Sequence, residues 1–144
     1  DCSDQFRNAA AAALDRDNAR RRDIAKAYDR TLAGLPIAVP RERPGATHVY
    51  HLYVIACDDR EQLRKTLAAS GVGAGVHYAV PGHLHPGYAR RCRVPAEGLP
   101  LTETLANRVL SLPMYPELSD EQTTAVTQTM KQQVRSADLR KLEV

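Results

Sequence analysis

Residues 48–71 have the sequence HVYHLYVIACDDREQLRKTLAASG, and this stretch decides the fold class. Residues 48–57 form a nearly continuous apolar run rich in strand-forming side chains, which predicts a strand buried on one face and largely covered on the other. Asp58 with Glu61 then gives the capping-box pattern that opens a helix, and Gly71 ends it. A strand, a helix and a turn therefore follow one another directly.

The segments on either side extend this alternation. The alanine run at residues 9–13 and the recurrence of apolar residues every three or four positions predict a first helix that continues to Leu32. Downstream, the glycine-spaced residues 72–80 predict a second strand. Residues 81–100 predict a loop because they are rich in proline, glycine and histidine.

Two more helices are predicted toward the C-terminus. Thr102 can cap the first of them, and Pro113 ends it. Ser119 with Gln122 forms a second capping box, which opens the other helix. The inward-facing residues are predicted to be Leu105, Val109 and Leu112 in the first helix and Val126, Met130 and Val134 in the second.

Together these elements predict an α+β fold, a small and mostly antiparallel sheet with helices packed on one face. A chain of 144 residues, 43% of them hydrophobic, is long enough for one compact domain of this kind. We place that domain at residues 1–135, with a leading helix over 1–34 and an α+β core over 35–135. Residues 136–144 form a polar tail that we expect to fray or to dock elsewhere.

Cysteine use and hydropathy bound the setting of the protein. Cys2, Cys57 and Cys92 are an odd number at wide spacings, which fits neither a disulfide framework nor paired zinc knuckles and favours free thiols in a reducing compartment. No window approaches the roughly 18 to 20 apolar residues that a membrane span needs, and the N-terminus lacks the order of a signal peptide. These features predict a soluble, cytoplasmic protein with no membrane contact.

The basic residues do not form the pattern of a nucleic-acid interface. The formal net charge is only +3, and the arginine run at residues 20–22 is diluted by aspartates on the same helix, so we interpret it as a solvated helix face. We therefore predict no nucleic-acid partner. The second run, at residues 90–93, lies in a segment rich in glycine and proline and could meet an anionic ligand.

Four motifs in a fixed order carry a resemblance to a known family. They are HLYVI at residues 51–55, GVGAGVHY at 71–78, PGHLHP at 81–86 and LSLPMYPEL at 110–118. Together they resemble the C-terminal small domain of the DegT/StrS-type sugar aminotransferases, pyridoxal phosphate (PLP) enzymes of fold type I. The resemblance covers roughly residues 19–130 and implies the same α+β small-domain fold.

The resemblance also implies an activity and a missing part. Enzymes of that family transfer an amino group, usually from glutamate, to a keto group on a nucleotide-linked sugar, and the Schiff-base lysine lies in a large N-terminal domain. The lysines here are Lys26, Lys65, Lys131 and Lys141, and none has a sequence context that suggests the desolvated pocket such a lysine needs. We therefore expect no cofactor in this chain, and PLP only if a large domain is supplied.

The resemblance assigns catalytic positions to His77, Tyr78 and His83, which match the His-Tyr pair and the loop histidine beside the family's active-site mouth. Imidazole can donate or accept a proton near neutral pH, and a tyrosine hydroxyl offers an oriented hydrogen bond. The alternative is that His77 and Tyr78 merely satisfy backbone groups at the end of a strand.

Three further residues of the same loop are predicted to bind substrate, namely His85, Tyr88 and Arg91. His85 with His77 and His83 would supply three imidazoles for a zinc ion. The sequence offers no neighbouring carboxylate to orient them, so we predict no metal site.

Three functional hypotheses remain, from different classes. The chain is the small domain of a sugar aminotransferase in aminosugar or antibiotic biosynthesis, and works only with a large domain. Alternatively it is a free-standing, PLP-independent descendant that uses His/Tyr acid–base or binding chemistry on a secondary-metabolite intermediate, or a non-catalytic partner protein. The expected partners are a homodimer mate or an aminotransferase large domain, and a small-molecule or nucleotide-sugar ligand.

Overall fold

The computed structural model describes the backbone of residues 2–88 and 91–142 and the side chains of residues 11, 13–88 and 91–134. The elements follow in the order α1 (Cys2–Leu32), β1 (Tyr53–Ala56), α2 (Arg60–Ala69), a 3₁₀ turn (Gly82–Leu84), α3 (Pro100–Arg108), β2 (Val109–Leu112) and α4 (Asp120–Leu142). Strands β1 and β2 pair antiparallel, with Tyr53 opposite Leu112 and Ala56 opposite Val109. The predicted α+β class and antiparallel pairing are confirmed.

The core lies between the two long helices and the strand pair. The apolar stripe predicted for α1 is buried, with Ile24 and Leu32 each 1% exposed and Tyr28 fully covered. Helix α4 buries Val126, Met130 and Val134 as its periodicity predicts. Burying an apolar side chain of this size contributes about 1.5–3 kcal/mol, so these stripes fix how α1 and α4 pack.

Strand β1 is shorter than the predicted strand over residues 48–57. Tyr50 has a positive φ of 47°, and its N–H donates to Nδ1 of His48 at 2.8 Å, so the chain turns there instead of extending. The guanidinium of Arg21 donates to the carbonyls of Tyr50 and His51, at 3.4 Å each. These backbone groups are therefore satisfied locally or by α1, and strand pairing begins only at Tyr53.

Two other predicted elements are wrong. Residues 72–80 are not a strand, because their backbone pairs with β2 only through an isolated bridge between Gly75 and Ser111. The predicted helix that included Val109 and Leu112 ends at Arg108, and residues 109–112 form β2. Pairing with β1 explains the second error, since it buries Leu110 completely, a residue that the helical spacing would have left outside the apolar stripe.

The helix caps are partly as predicted. Ser119 and Gln122 form the predicted capping box, with Gln122 N donating to Ser119 Oγ at 3.1 Å and Ser119 N donating to Gln122 Oε1 at 2.9 Å. The cap of α2 is Asp59 and not Asp58, whose carboxylate instead pairs with Arg108 at 2.7 Å. The cap predictions thus hold to within one residue at these two helices.

At α3 the predicted cap is wrong by more than one position. The helix starts at Pro100 with Leu99 as its N-cap, so Thr102 lies inside the first turn. Proline suits this first position because its missing N–H would have no intrahelical partner there. The N–H of Leu99 donates to Glu103 Oε1 at 3.3 Å, which gives the helix start a side-chain acceptor.

The arginine run on α1 is not a solvated face. Arg20 donates to the carbonyl of Leu118 and pairs with Asp120 at 2.8 Å, and Arg21 donates to the carbonyl of Met114 at 3.0 Å. Both side chains thus tie α1 to the connection between β2 and α4. The two guanidinium groups stabilise this packing because they donate to carbonyls of the connection, which lie outside the hydrogen-bonded backbone of β2 and α4.

The remaining predictions concern the ends of the chain and its cysteines. Helix α4 continues to Leu142, so most of the predicted polar tail is helical in its backbone, while residues 143–144 lie outside the described residues. Cys57 is buried and Cys92 exposed, both as free thiols, and the side chain of Cys2 is not among those described. Within the described ranges, no helix combines the length and apolar character needed to cross a bilayer.

Candidate functional site

The predicted site residues lie between α2 and α3, in three local groups. His77 and Tyr78 lie against β2, His83 lies against α3, and His85 lies beside Tyr88. Among the described residues, no hydrogen bond or ring contact joins one group to another.

The first group is held against β2 by backbone and side chain together. Ser111 N donates to Gly75 O at 2.7 Å, and Gly75 N donates back to Ser111 O at 3.0 Å. This bridge brings Nδ1 of His77 to 2.9 Å from Oγ of Ser111, a residue only 4% exposed. His77 itself remains exposed, so its ring offers a second nitrogen to a ligand.

Tyr78 extends from the same place into solvent. It is 77% exposed, and its ring lies edge-on to the His77 ring with centroids 5.6 Å apart. Its hydroxyl has no hydrogen-bond partner among the side chains and backbone that the structure describes. A large aromatic residue held out in this way is suited to contact a ligand or another protein surface.

His83 makes a structural contact. Its side chain is only 8% exposed, and its Nε2 lies 2.9 Å from Oε1 of Glu103 on α3. The hydrogen bond from His83, followed by the one from the N–H of Leu99, lowers the pKa of Glu103. His83 therefore joins the 3₁₀ turn to the start of α3, and Glu103 is the neighbouring carboxylate that the sequence motif did not reveal.

The third group is exposed. His85 Nδ1 accepts from Gly87 N at 3.3 Å, and the His85 and Tyr88 rings have centroids 5.5 Å apart. The N–H of Arg91 donates to the carbonyl of Tyr88 at 2.8 Å, and the Arg91 side chain is exposed. These three residues are placed close together, on a surface open to an anionic ligand.

The three histidines do not form a metal site. Among the described residues, no three or more His, Cys, Asp or Glu side chains are grouped so as to hold a metal ion. The geometric reason is that His77 and His83 use one ring nitrogen each on different elements, β2 and α3.

Two surface grooves lie away from the predicted residues. One, of about 430 Å³, lies between the end of α2 and the exposed face of α4, and Tyr115 and Gln122 are among its lining residues. The other, of about 500 Å³, is lined by residues of α1 and of the segment before β1, including Arg22, Asp29 and Glu42. Neither is lined by His77, Tyr78, His83 or His85.

The described lysines do not fit a PLP Schiff base. Lys26 is 66% exposed and pairs with Asp23 at 3.2 Å, Lys65 is exposed, and Lys131 is half-buried on α4. A Schiff-base lysine needs a desolvated pocket that keeps its amine unprotonated, and none of these three positions provides one. The side chain of Lys141 is outside the described residues.

Large apolar side chains are exposed mainly in the segment that carries the predicted site. We call residues 78–105 the apolar segment. Its exposed members are Tyr78, Val80, Leu84, Tyr88, Val94, Leu101 and Leu105, whereas the others in the described part of the chain are Leu14, Val49 and Tyr115. Contiguous exposed apolar patches mark interaction sites, so the apolar segment is the candidate interaction surface of this chain.

Comparison with known proteins agrees with the fold and the motif order. The chain matches the DegT/DnrJ/EryC1/StrS aminotransferase family over residues 8–131. The crystal structure of Streptomyces venezuelae DesV in complex with a ketimine intermediate superimposes with a TM-score of 0.81 at 38% sequence identity, covering 86% of this chain and 33% of that one.

Curated relatives give the same result. The erythromycin biosynthesis sensory transduction protein EryC1 of Saccharopolyspora erythraea is 40% identical over 119 residues, which are 82% of this chain and 32% of that protein. The dTDP-3-amino-3,4,6-trideoxy-alpha-D-glucose transaminase of Streptomyces venezuelae is 40% identical over 129 residues, 88% of this chain and 34% of that protein. The chain spans about a third of the length of the curated relatives it matches. This chain belongs to the DegT/DnrJ/EryC1/StrS aminotransferase family.

Proposed function

We propose that this chain is the small domain of a sugar aminotransferase and takes part in amino transfer to a keto nucleotide-sugar only together with a large domain. The observation that carries the proposal is the match over residues 8–131 to a family whose relatives are about three times as long as the matched stretch. The described lysines support the need for a large domain, because none of them lies in a pocket suited to a Schiff base. The large domain therefore supplies the lysine and holds the cofactor.

The role of this chain is to bind and orient the sugar substrate. His77 offers a ring nitrogen and Tyr78 a hydroxyl on one exposed surface, and both can bond to phosphate, hydroxyl or carbonyl oxygens. Arg91, in the same segment, adds an exposed positive charge suited to a phosphate oxygen. His83 holds the 3₁₀ turn in place through Glu103.

The large domain also covers the apolar segment. Seven exposed apolar residues fall within positions 78–105, the stretch of chain that also carries His83, His85 and Arg91. Docking a large domain there would remove this apolar area from water and place His77 and Tyr78 at the boundary between the domains, where ligand sites commonly lie. We also propose that the small and large domains together form a subunit, and that two such subunits form a homodimer in the cytoplasm.

The free-standing alternative lacks this support. It requires His77, Tyr78, His83 and His85 to line one pocket, whereas the described contacts separate them into three groups. The non-catalytic partner hypothesis shares the docking surface with our proposal, so only an activity measurement separates those two.

A hybrid enzyme tests the proposal. This chain would replace the matching third of the Streptomyces venezuelae transaminase, and mass spectrometry would follow amino transfer from glutamate to that enzyme's keto-sugar nucleotide. We expect product from the hybrid and none from this chain alone or from the truncated relative alone. A folded, cofactor-loaded hybrid without activity would favour the non-catalytic partner.

A reduction experiment tests the cofactor part separately. The chain alone is mixed with PLP, reduced with borohydride and digested for peptide mass spectrometry. We expect low and unselective labelling of Lys26, Lys65 and Lys131, as for exposed surface amines. Labelling concentrated on one lysine would overturn the requirement for a large domain.

A further inference from the structure

Ser111 is a buried hydroxyl with one side-chain partner. It is 4% exposed, and its backbone N–H and C=O are both used in the bridge to Gly75. In the part of the chain that the structure describes, Oγ of Ser111 bonds only to Nδ1 of His77, at 2.9 Å. The sequence around Ser111 carries no nucleophile motif, so the hydrogen bond to His77 is the contact that indicates its role.

The burial of this hydroxyl decides the direction of the hydrogen bond. If Nδ1 of His77 carried a proton and donated it to Oγ, the hydroxyl proton of Ser111 would have no described acceptor. A buried donor without an acceptor is costly, so the favoured arrangement has the Ser111 O–H donating to an unprotonated Nδ1. In the neutral ring the proton then resides on Nε2.

Gly75 makes this contact possible. A Cβ atom at position 75 would lie 2.7 Å from Cε1 of His77, which is closer than real Cβ contacts allow. The His77 ring therefore lies across the space that a side chain at position 75 would occupy. Ser111 and Gly75 together hold the ring, one by a hydrogen bond and the other by leaving room.

We propose that Ser111 is a positioning residue that fixes neutral His77 as its Nε2–H tautomer, so that His77 donates a hydrogen bond to a ligand oxygen and does not act as a base. For the identity of the ligand, a nucleotide-linked sugar, this inference rests on the proposed function. A phosphate or carbonyl oxygen is the partner that an N–H at this position recognises.

Nitrogen-15 NMR of the imidazole rings in the full 144-residue chain tests the tautomer, at a pH where the rings are neutral. We expect His77 to show an unprotonated Nδ1 and a protonated Nε2. His48 and His85 are internal references, because their Nδ1 atoms accept from the backbone N–H groups of Tyr50 and Gly87. An Nδ1–H signal for His77 would overturn the proposal.

Two variants test the cause. Ser111→Ala removes the donor, and Gly75→Ala displaces the ring; each should convert the single tautomer of His77 into a mixture while the signals of His48 and His85 stay unchanged. If one variant does not fold, the other still decides. A His77 signal that is the same in wild type and in a folded variant would contradict the positioning role.

Titration with a keto-sugar nucleotide separates this inference from the proposed function. In the hybrid enzyme, Ser111→Ala should raise KM on the order of fivefold, the effect of one weakened neutral hydrogen bond, with a smaller change in kcat. Suppose that the NMR result holds, but that adding the nucleotide leaves the His77 signals unchanged and Ser111→Ala leaves KM unchanged. The assigned ligand contact then fails, and the positioning role of Ser111 stands. A raised KM together with the Nδ1–H tautomer would instead support the ligand contact and overturn the tautomer that we assign to His77.

Discussion

At the scale of single residues, buried tyrosine hydroxyls join the core to polar groups. Tyr53 is fully buried, and its hydroxyl donates to Oδ1 of Asp29 at 2.6 Å. Burial, followed by this hydrogen bond, raises the pKa of Tyr53 far above its ordinary value, so the phenol stays protonated and remains a donor.

Tyr53→Phe should therefore lower the free energy of unfolding. The loss should be about 1.5 kcal/mol, the lower end for a hydrogen bond to a charged group, because Asp29 is half-buried and water can replace part of the contact. Urea unfolding measures it. Tyr115→Phe is the matched control, since Tyr115 is 42% exposed and should change stability by less than about 0.5 kcal/mol. Equal effects of the two substitutions would contradict the role of Asp29.

At the scale of elements, one predicted helix cap is present and another is absent, and two alanine substitutions distinguish them. Ser119 accepts from Gln122 N at the start of α4, whereas Thr102 lies inside α3 and caps nothing. Ser119→Ala should cost about 1 kcal/mol, and Thr102→Ala should stay within about 0.5 kcal/mol. Chemical denaturation of both variants checks this; a larger loss from Thr102→Ala would restore the cap that the sequence predicted.

The His83–Glu103 pair predicts how α3 responds to acid. Because the pKa of Glu103 is lowered in the folded chain, its ionised carboxylate stabilises the fold at pH values above the ordinary glutamate pKa of 4.5. This stabilisation is lost as the pH falls below 4.5 and through the lowered pKa of the folded chain. Wild type should thus be more stable than Glu103→Gln at pH 6, and the gap should narrow as the pH is lowered from 4.5.

Unfolding curves at a series of pH values measure that gap. Glu97→Gln is the control, because Glu97 is exposed and makes no ion pair with a described residue. A gap that stays constant down to pH 3 would mean that the carboxylate charge of Glu103 contributes nothing.

Local patterns were predictable from the sequence, and contacts between distant segments were not. The stripe of α1 and the Ser119–Gln122 box depend on residues a few positions apart, and both are present. The strand at residues 48–57 was predicted too long because a guanidinium 29 positions upstream takes the carbonyl of Tyr50. Similarly, the resemblance identified His77, but Ser111 lies 34 positions away and only the bridge to Gly75 brings it near.

At the scale of the whole molecule, the core and the apolar segment serve different purposes. Helices α1 and α4 and the strand pair complete a core within this chain, with Tyr28, Tyr53, Leu110 and Met130 fully buried. In contrast, Leu101 on α3 is 72% exposed within the apolar segment, where it adds nothing to the core. A surface substitution there can therefore change association without changing the fold.

Leu101→Glu should weaken binding of this chain to the large domain of the Streptomyces venezuelae transaminase by about tenfold or more. The substitution removes one buried leucine from the contact, worth about 1.5–3 kcal/mol, and places a charge there. Gln62→Glu is the control for the added charge, because Gln62 is exposed on α2 outside the apolar segment. Calorimetric titration gives both affinities, and urea unfolding establishes that both variants keep their stability. If the two variants bind equally well, the large domain docks elsewhere. The mass of the chain in solution would then show whether the exposed side chains of residues 78–105 are covered by a second copy of this chain.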